Sequence, residues 1–372
     1  MSQPAIKHIA RVFLLLGAAA LPNAQAYNEG GHYYTLLALY DSLASSASAE
    51  KISEIKLEAF CAELPDLAQE LDAVTQRVRV LKSTRDNLWG LLGSCQTTVS
   101  AHMVATQYYL HGLAGTPAAQ NRNAALQLLQ ATDSDLRAPK LGRAQRRQLL
   151  CARGFAGHLY GDSYAHVKLS SERAGLFYAA PHPQMYATGL GHARDGQYPD
   201  YLYGHSLDGD RWPQWVSDAS AALVTGANSK PLLANLNGCA DSNIANCEEE
   251  AQKKLISLLQ TKNLAVANMQ QLLENGNSGF AQMERTTTCD SMLAAAFPQA
   301  RERPQCNQVW AYYLQKAIPV FNALGLDPGA GSNARVAHSC SAWRCSGSAS
   351  YAGEQPASCA IEVRDQLEYG SQ

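Results

Sequence analysis

Apolar residues recur at helical spacing through most of the chain. Residues 32–45 (HYYTLLALYDSLAS) carry this period, and it returns over 48–62 and over 67–82 (LAQELDAVTQRVRVLK). A stretch near 99–113 ends in LHGLAG, whose glycines suit a helix stop. Thr116-Pro117 then offers an N-cap residue and a proline at the first position of a helix over 117–131. Residues 142–169 read as one long helix, and 247–275 as another with acidic residues in its first turn. A further helix is predicted over 307–325, interrupted by Pro319. No convincing run alternates with period two, and no internal repeat is present. Two stretches lose the helical rhythm: 177–215, rich in Tyr, Pro, His and Gly, and 327–372, rich in Gly, Ser and Cys. The pattern predicts an all-α fold with a boundary near 225–235.

One apolar run is of a different kind. Lys7, His8 and Arg11 precede an uninterrupted run from Val12 to Leu21, Pro22 breaks it, and Ala24-Gln25-Ala26 follows. Basic, apolar and small-x-small segments in that order mark a secretory signal peptide, and the run falls short of the roughly 20 residues that a bilayer span needs. The expectation is cleavage between Ala26 and Tyr27, export to the periplasm or the medium, and no transmembrane anchor. Ten cysteines agree with an oxidising destination, where an even number favours disulfides. No CxxC pair occurs, which argues against a thiolate zinc site or a thioredoxin-like motif. The short gaps Cys239–Cys247 and Cys289–Cys306 point to local bridges.

Charge weakens one class of function without excluding it, since metal ions can supply positive charge. The formal net charge is −2 and 17% of residues are charged, so the electrostatic footprint of a nucleic-acid binder is missing. The only basic cluster, LGRAQRRQ at 141–148, reads as the solvated face of a helix.

The densest chemistry lies at 158–166, HLYGDSYAH. On a helix His158, Asp162 and His166 drift by about 80° over two turns, so all three line one face. Two imidazoles and a carboxylate there are the ligands Zn²⁺ accepts, and Asp162 has two oxygens with which to bridge two ions. His111 stands at the end of an apolar helix, Asp66 at a Pro-Asp corner between helices, and His192, Asp195 and Asp200 in GHARDGQYPD. Singly each is weak; together they are ligands enough for more than one ion.

An exported helical chain with a new amino end, a histidine five residues in, a Pro-Asp carboxylate, His-x3-Asp on a helix and a later His/acid pair resembles the zinc-dependent phospholipase C and single-strand nuclease superfamily. In that family the mature N-terminal residue, usually Trp, ligates zinc through its own amine and carbonyl. The resemblance implies three zinc ions. Tyr27 and His32 would hold one. Asp66, His111, His158 and Asp162 would hold a second, with Asp162 bridging. His166, His192 and either Asp195 or Asp200 would hold the third. It also implies that Asp66 orients a water or takes its proton. The match covers roughly residues 27–200. It departs from the family in Tyr for Trp, in His-x3-Asp-x3-His for His-x3-Asp-x5-His, and in the spacing of the last pair.

The expected organisation is therefore a signal peptide (1–26), a zinc-binding catalytic helical domain (27–230) and a helical, disulfide-rich extension (231–372) in a monomer. The expected activity is phospholipase C, cleaving glycerophospholipids at a membrane surface. Three features favour it over the nuclease: the missing basic stripe, the Tyr- and Trp-rich stretch 177–215 that suits a lipid interface, and a likeness of GDSYAH and GHARDG to bacterial phospholipase C-like proteins. The alternatives are a single-strand nuclease of the same superfamily, whose bases would stack on those aromatics, and a non-catalytic metal-binding protein.

Overall fold

The computed structural model of the chain describes residues 30–44, 47–72, 96–100, 105–114, 116–167, 185, 202, 211–224, 250–251, 253–257, 264, 268–276, 287–299, 303–326, 342–345 and 358–362. Helix α1 (Gly31–Ala44) starts behind Gly30, whose φ of +90° is left-handed backbone that glycine adopts readily. Its first turn is capped from a distance. The buried Glu63 carboxylate accepts the Gly30 N–H at 2.6 Å and the Tyr33 N–H at 3.0 Å. An anion there satisfies orphan donors and suits the positive end of the helix dipole.

Helix α2 (Ala49–Leu67) begins at Ser48, whose hydroxyl accepts the Lys51 N–H at 3.2 Å, and it runs through Pro65. The Pro65-Asp66 corner expected between helices is thus the last turn of α2. A proline this near the end forfeits one hydrogen bond without breaking the element. The helix expected over 67–82 does not follow: residues 68–71 form a turn, and 73–82 lie outside the described residues. Near 99–113 the chain instead forms a short strand, β1 (Gln96–Ser100), and then a π-helical turn, Thr106–Leu110.

Helix α3 (Ala118–Leu136) starts one position later than expected, with Pro117 at the N-cap and no side-chain cap. Helix α4 (Arg143–Ala165) is the predicted long helix, and α5 (Arg211–Ala222) emerges from the end of the 177–215 stretch. Residues 247–275 are not one helix. The chain is helical at 250–251 and 253–257, irregular at Leu264, and helical again in α6 (Met269–Gly276), and both helical segments bury apolar residues in the same core. Helices α7 (Cys289–Ala296) and α8 (Cys306–Ala323) follow. Pro319 does not interrupt α8, whose last turn is held by the buried Phe321.

The all-α expectation holds for the core. A small three-stranded antiparallel sheet is added to it, order β1-β3-β2, from β2 (Ala342–Cys345) and β3 (Ser358–Glu362). Cys345 stands opposite Cys359 in its register. Helices on both sides of residue 230 share one continuous core: α8 packs on α3 and α4 and buries Tyr313, Leu314, Ala317 and Phe321 there.

Helix α4 is the axis of the fold, packed by α2, α3, α5 and α8. Its residues from Leu149 to Ala165 are all buried, so every ionisable side chain within that span must be partnered inside the protein. Arg153 is: it donates to Asp133 Oδ1 at 2.6 Å, the Leu223 carbonyl at 2.7 Å and Tyr40 Oη at 2.5 Å, and it pairs with Glu58. Gly154 lets α2 approach, since a Cβ there would lie 2.5 Å from the Glu58 carbonyl oxygen. The Cys61–Cys151 disulfide clamps the same crossing with Cα atoms 5.0 Å apart. Its sequence separation of 90 corresponds to roughly 4.5 kcal/mol of chain entropy removed from the unfolded state. The expected local bridge Cys289–Cys306 is also formed, joining α7 to α8. Cys239 and Cys247 lie outside the described residues.

The basic cluster at the start of α4 is a solvated face only in part: Arg143 is exposed, but Arg146 and Arg147 are engaged. Arg147 is buried and donates to Ser53 Oγ at 2.8 Å, while Arg146 makes a two-pronged contact with Glu54, one arm at 3.1 Å. Burial pushes the Glu54 carboxyl up, but the hydrogen bonds and charge of Arg146 win and hold it below the ordinary carboxylate value. A carboxyl lowered by folding adds stability above its unfolded pKa, about 4.3, and loses it as pH falls through the folded value. Glu54→Gln should therefore unfold with a shallower loss of stability below about pH 4.5 and cost no more than about 1 kcal/mol at neutral pH, as for partly exposed pairs. Urea melts from pH 3 to 7 check this; an acid limb as steep as that of the wild type would contradict it.

Candidate metal centre

Helix α4 presents His158 and Asp162 one turn apart, and His166 ends it as the C-cap residue, its N–H bonded to the Asp162 carbonyl at 2.8 Å. Three other elements deliver side chains to that face. The first turn of α1 brings His32, the last turn of α2 brings Asp66, and the residue after the π-helical turn brings His111. All six are at most 2% exposed.

Backbone carbonyls orient three of the imidazoles. His158 Nδ1 lies 2.8 Å from the Ala62 oxygen, His111 Nε2 lies 2.9 Å from the Leu71 oxygen, and His166 Nδ1 lies 2.7 Å from the His111 oxygen. These acceptors assign the proton to the nitrogen facing them, which leaves His111 Nδ1 and His158 Nε2 with lone pairs turned inward. Those two atoms are 3.2 Å apart, and each is near Asp162 Oδ2, at 3.2 and 3.1 Å. Asp66 Oδ1 lies 3.8 Å from His111 Nδ1 and 3.9 Å from His158 Nε2. A tetrahedral zinc with bonds of 2.0–2.1 Å sets its ligands about 3.3 Å apart. The three edges among His111, His158 and Asp162 fall within about 0.2 Å of that value, and the two from Asp66 to the histidines are about 0.5–0.6 Å longer.

Asp162 divides its oxygens. Oδ2 faces His111 and His158, while Oδ1 lies 2.9 Å from His32 Nε2. Asp66 does likewise, with Oδ2 at 4.0 Å from His32 Nε2. Two overlapping ligand groups result: Asp66, His111 and His158, and His32, His158 and Asp162. His166 belongs to neither; its Nδ1 is 3.4 Å from Asp162 Oδ2 but is committed to the His111 carbonyl. A third grouping, Glu70 with Cys289 and Cys306, has its sulfurs in a disulfide and offers no thiolate.

Protonation follows from burial and from the Asp162 carboxylate at the centre. Burial pushes His158 down to about 3 and lowers His166 as well, against the pull of Asp162. Burial lowers His111 too, but there the hydrogen bond and charge of Asp162 prevail and raise it. Asp162 itself is held well below the ordinary carboxylate value: burial opposes this, and the surrounding histidines outweigh burial. The inward lone pairs thus converge on a point that favours positive charge, either a proton shared by His111 and Asp162 or a metal ion. The donor set fits zinc: imidazoles fixed by outer carbonyls, and carboxylate oxygens.

Sequence reasoning missed several supports. Glu63 seats the turn that carries His32, and Gly161 leaves room for its ring, since a Cβ there would meet His32 Cε1 at 2.5 Å. Trp215 closes the far side of His32 with ring centroids 5.3 Å apart. Glycine between two ligands on a helix was the one signal available. Trp212 and Trp215 do not face a lipid interface: they are 2% and 0% exposed, and Trp212 Nε1 donates to Thr35 Oγ1 at 3.0 Å. Tyr27, His192, Asp195 and Asp200 lie outside the described residues. No family model, curated protein or solved structure matches the chain. No helix among the described residues is long and apolar enough to cross a membrane.

Proposed function

We propose that the protein is an exported zinc-dependent phosphodiester hydrolase, a phospholipase C acting on glycerophospholipids. The observation that supports it most is the convergence of His111 Nδ1, His158 Nε2, Asp162 Oδ2 and Asp66 Oδ1, all within 3.9 Å of the imidazole nitrogens, in a buried interior. These four residues would hold one zinc. His32 and Asp162 Oδ1 would hold a second, completed by the amino end at Tyr27. His166, with His192 and Asp195 or Asp200, is reserved for a third. Zinc supplies Lewis acidity and lowers the pKa of water toward about 7.

The protein's own groups do the rest. The Ala62, Leu71 and His111 carbonyls fix three rings, so no ligand has to reorient. Asp66 reaches both groups with separate oxygens and would orient a water at the centre or take its proton. Phospholipid rather than polynucleotide is preferred because no basic stripe accompanies the near-neutral charge. The two formed disulfides and the signal-like N-terminal segment support export.

Full-length protein secreted with its own N-terminal segment is expected to carry zinc. Chelation should remove phosphatidylcholine hydrolysis, and added zinc should restore it. Hydrolysis by zinc-free protein would sink the proposal, and cleavage of single-stranded DNA with phosphatidylcholine untouched would move the activity to the nuclease branch.

A further inference from the structure

The segment beyond residue 230 has no role in the scheme above, yet it grips the turn that delivers His111. Thr106–Leu110 is π-helical, closed by the His111 N–H on the Thr106 oxygen at 3.2 Å. Such turns are rare and recur at functional sites because something else must hold them. Here α8 does so. Tyr313, fully buried, donates its hydroxyl to the Tyr109 carbonyl at 2.7 Å. Phe321 sets its edge on Tyr109 with centroids 5.0 Å apart and leans on Tyr108 at 5.6 Å.

The other end of the same arrangement returns to His111. The His111 Nε2 proton is donated to the Leu71 carbonyl at 2.9 Å. Two residues earlier, the Gln69 N–H donates to the Thr287 oxygen at 2.9 Å, and Glu70 Oε1 accepts the Cys289 N–H at 2.8 Å. Cys289 is joined to Cys306, the first residue of α8. Contacts therefore close a ring: Leu71, His111, the π-helical turn, Tyr313, α8, the disulfide, Glu70, and Leu71 again.

We infer that the α7–α8 pair is part of the frame of the metal centre, with Tyr313 a positioning residue that fixes the His111 imidazole through the Tyr109 carbonyl. The zinc readout of this inference rests on the function proposed above; the proton readout does not.

The test compares Tyr313→Phe with Tyr312→Phe in the full chain. Tyr312 lies on the same helix and donates to Asp135 Oδ2 at 2.5 Å, away from the π-helical turn. Tyr313→Phe should weaken zinc binding about 10–100-fold, as loss of an outer-shell support does. It should also alter the visible spectrum of the cobalt-substituted protein and speed solvent exchange of the His111 Nε2 proton, read by ¹⁵N-resolved NMR. Tyr312→Phe should leave all three unchanged. Wild-type zinc affinity and proton exchange in Tyr313→Phe would overturn the inference, as would equal changes in both variants. Should the wild-type protein bind no zinc, the metal reading falls and the His111 proton exchange alone decides.

Discussion

Asp162→Asn should lose zinc and turnover together while the protein stays folded. The carboxylate faces four histidines, with Oδ1 toward His32 and Oδ2 toward His111, His158 and His166. Losing a direct ligand should cost more than the roughly 10–100-fold in affinity typical of outer-shell changes. The fold should survive because an amide can repair part of what it removes. Its NH₂ group would face the inward lone pairs of His111 Nδ1 and His158 Nε2, and its oxygen could still accept from His32 Nε2. Metal-free Asp162→Asn should melt cooperatively but below metal-free wild type, because the lowered carboxyl contributes stability at neutral pH, whereas added zinc should raise the melting temperature of the wild type alone. Zinc titrations followed by thermal melts separate the two states. A variant with native zinc content and activity would remove Asp162 from the site.

Gly161→Ala should be nearly as damaging for a steric reason. The new methyl would lie 2.5 Å from His32 Cε1, 2.8 Å from His32 Nδ1 and 2.9 Å from Trp215 Cζ2, all in closely packed interior. Overpacking of this kind costs about 1–3 kcal/mol, and the side chain able to yield is His32 itself. Zinc held by His32 should go with it. Gly157→Ala, one turn earlier, is the matched comparison: its methyl would meet only Leu36 Cδ1 at 3.6 Å, an ordinary contact. That variant should gain up to about 1 kcal/mol from helix propensity and keep its metal. Urea melts with zinc analysis measure both. If Gly161→Ala matched Gly157→Ala, the close approach of His32 to α4 would be wrong.

How much of this was legible in the sequence depends on the range of each interaction. His158, Asp162 and His166 share a face because three residues on one helix obey a fixed period, and the structure keeps them there. Helices α1, α2, α3, α4 and α8 were visible for the same reason. Asp66 and His111 were weak candidates taken singly, and only the resemblance joined them with His32; all three do converge on that face, though nothing in their own neighbourhoods required it. Glu63 is invisible to periodicity because the donors it caps lie 33 and 30 residues away. The π-helical turn is set by contacts with α8, and the burial of Arg147 by Ser53 and its neighbours on α2. Trp212 and Trp215 misled for the same reason: an aromatic-rich stretch reads alike whether its rings meet a membrane or a core. His166 shows the limit of the local rule. It lies on the predicted face, yet its Nδ1 serves the His111 carbonyl and not the shared centre.

The covalent link between Cys61 and Cys151 has one more effect. Asp66 and His111 lie within the span it closes, and His158 and Asp162 follow shortly after its second anchor. When the helices come apart in an oxidising medium, these four groups remain on a tether, at a mutual concentration on the order of millimolar. The unravelled chain therefore keeps its chelating groups gathered, so the steps back to the native state begin from a partly assembled nest.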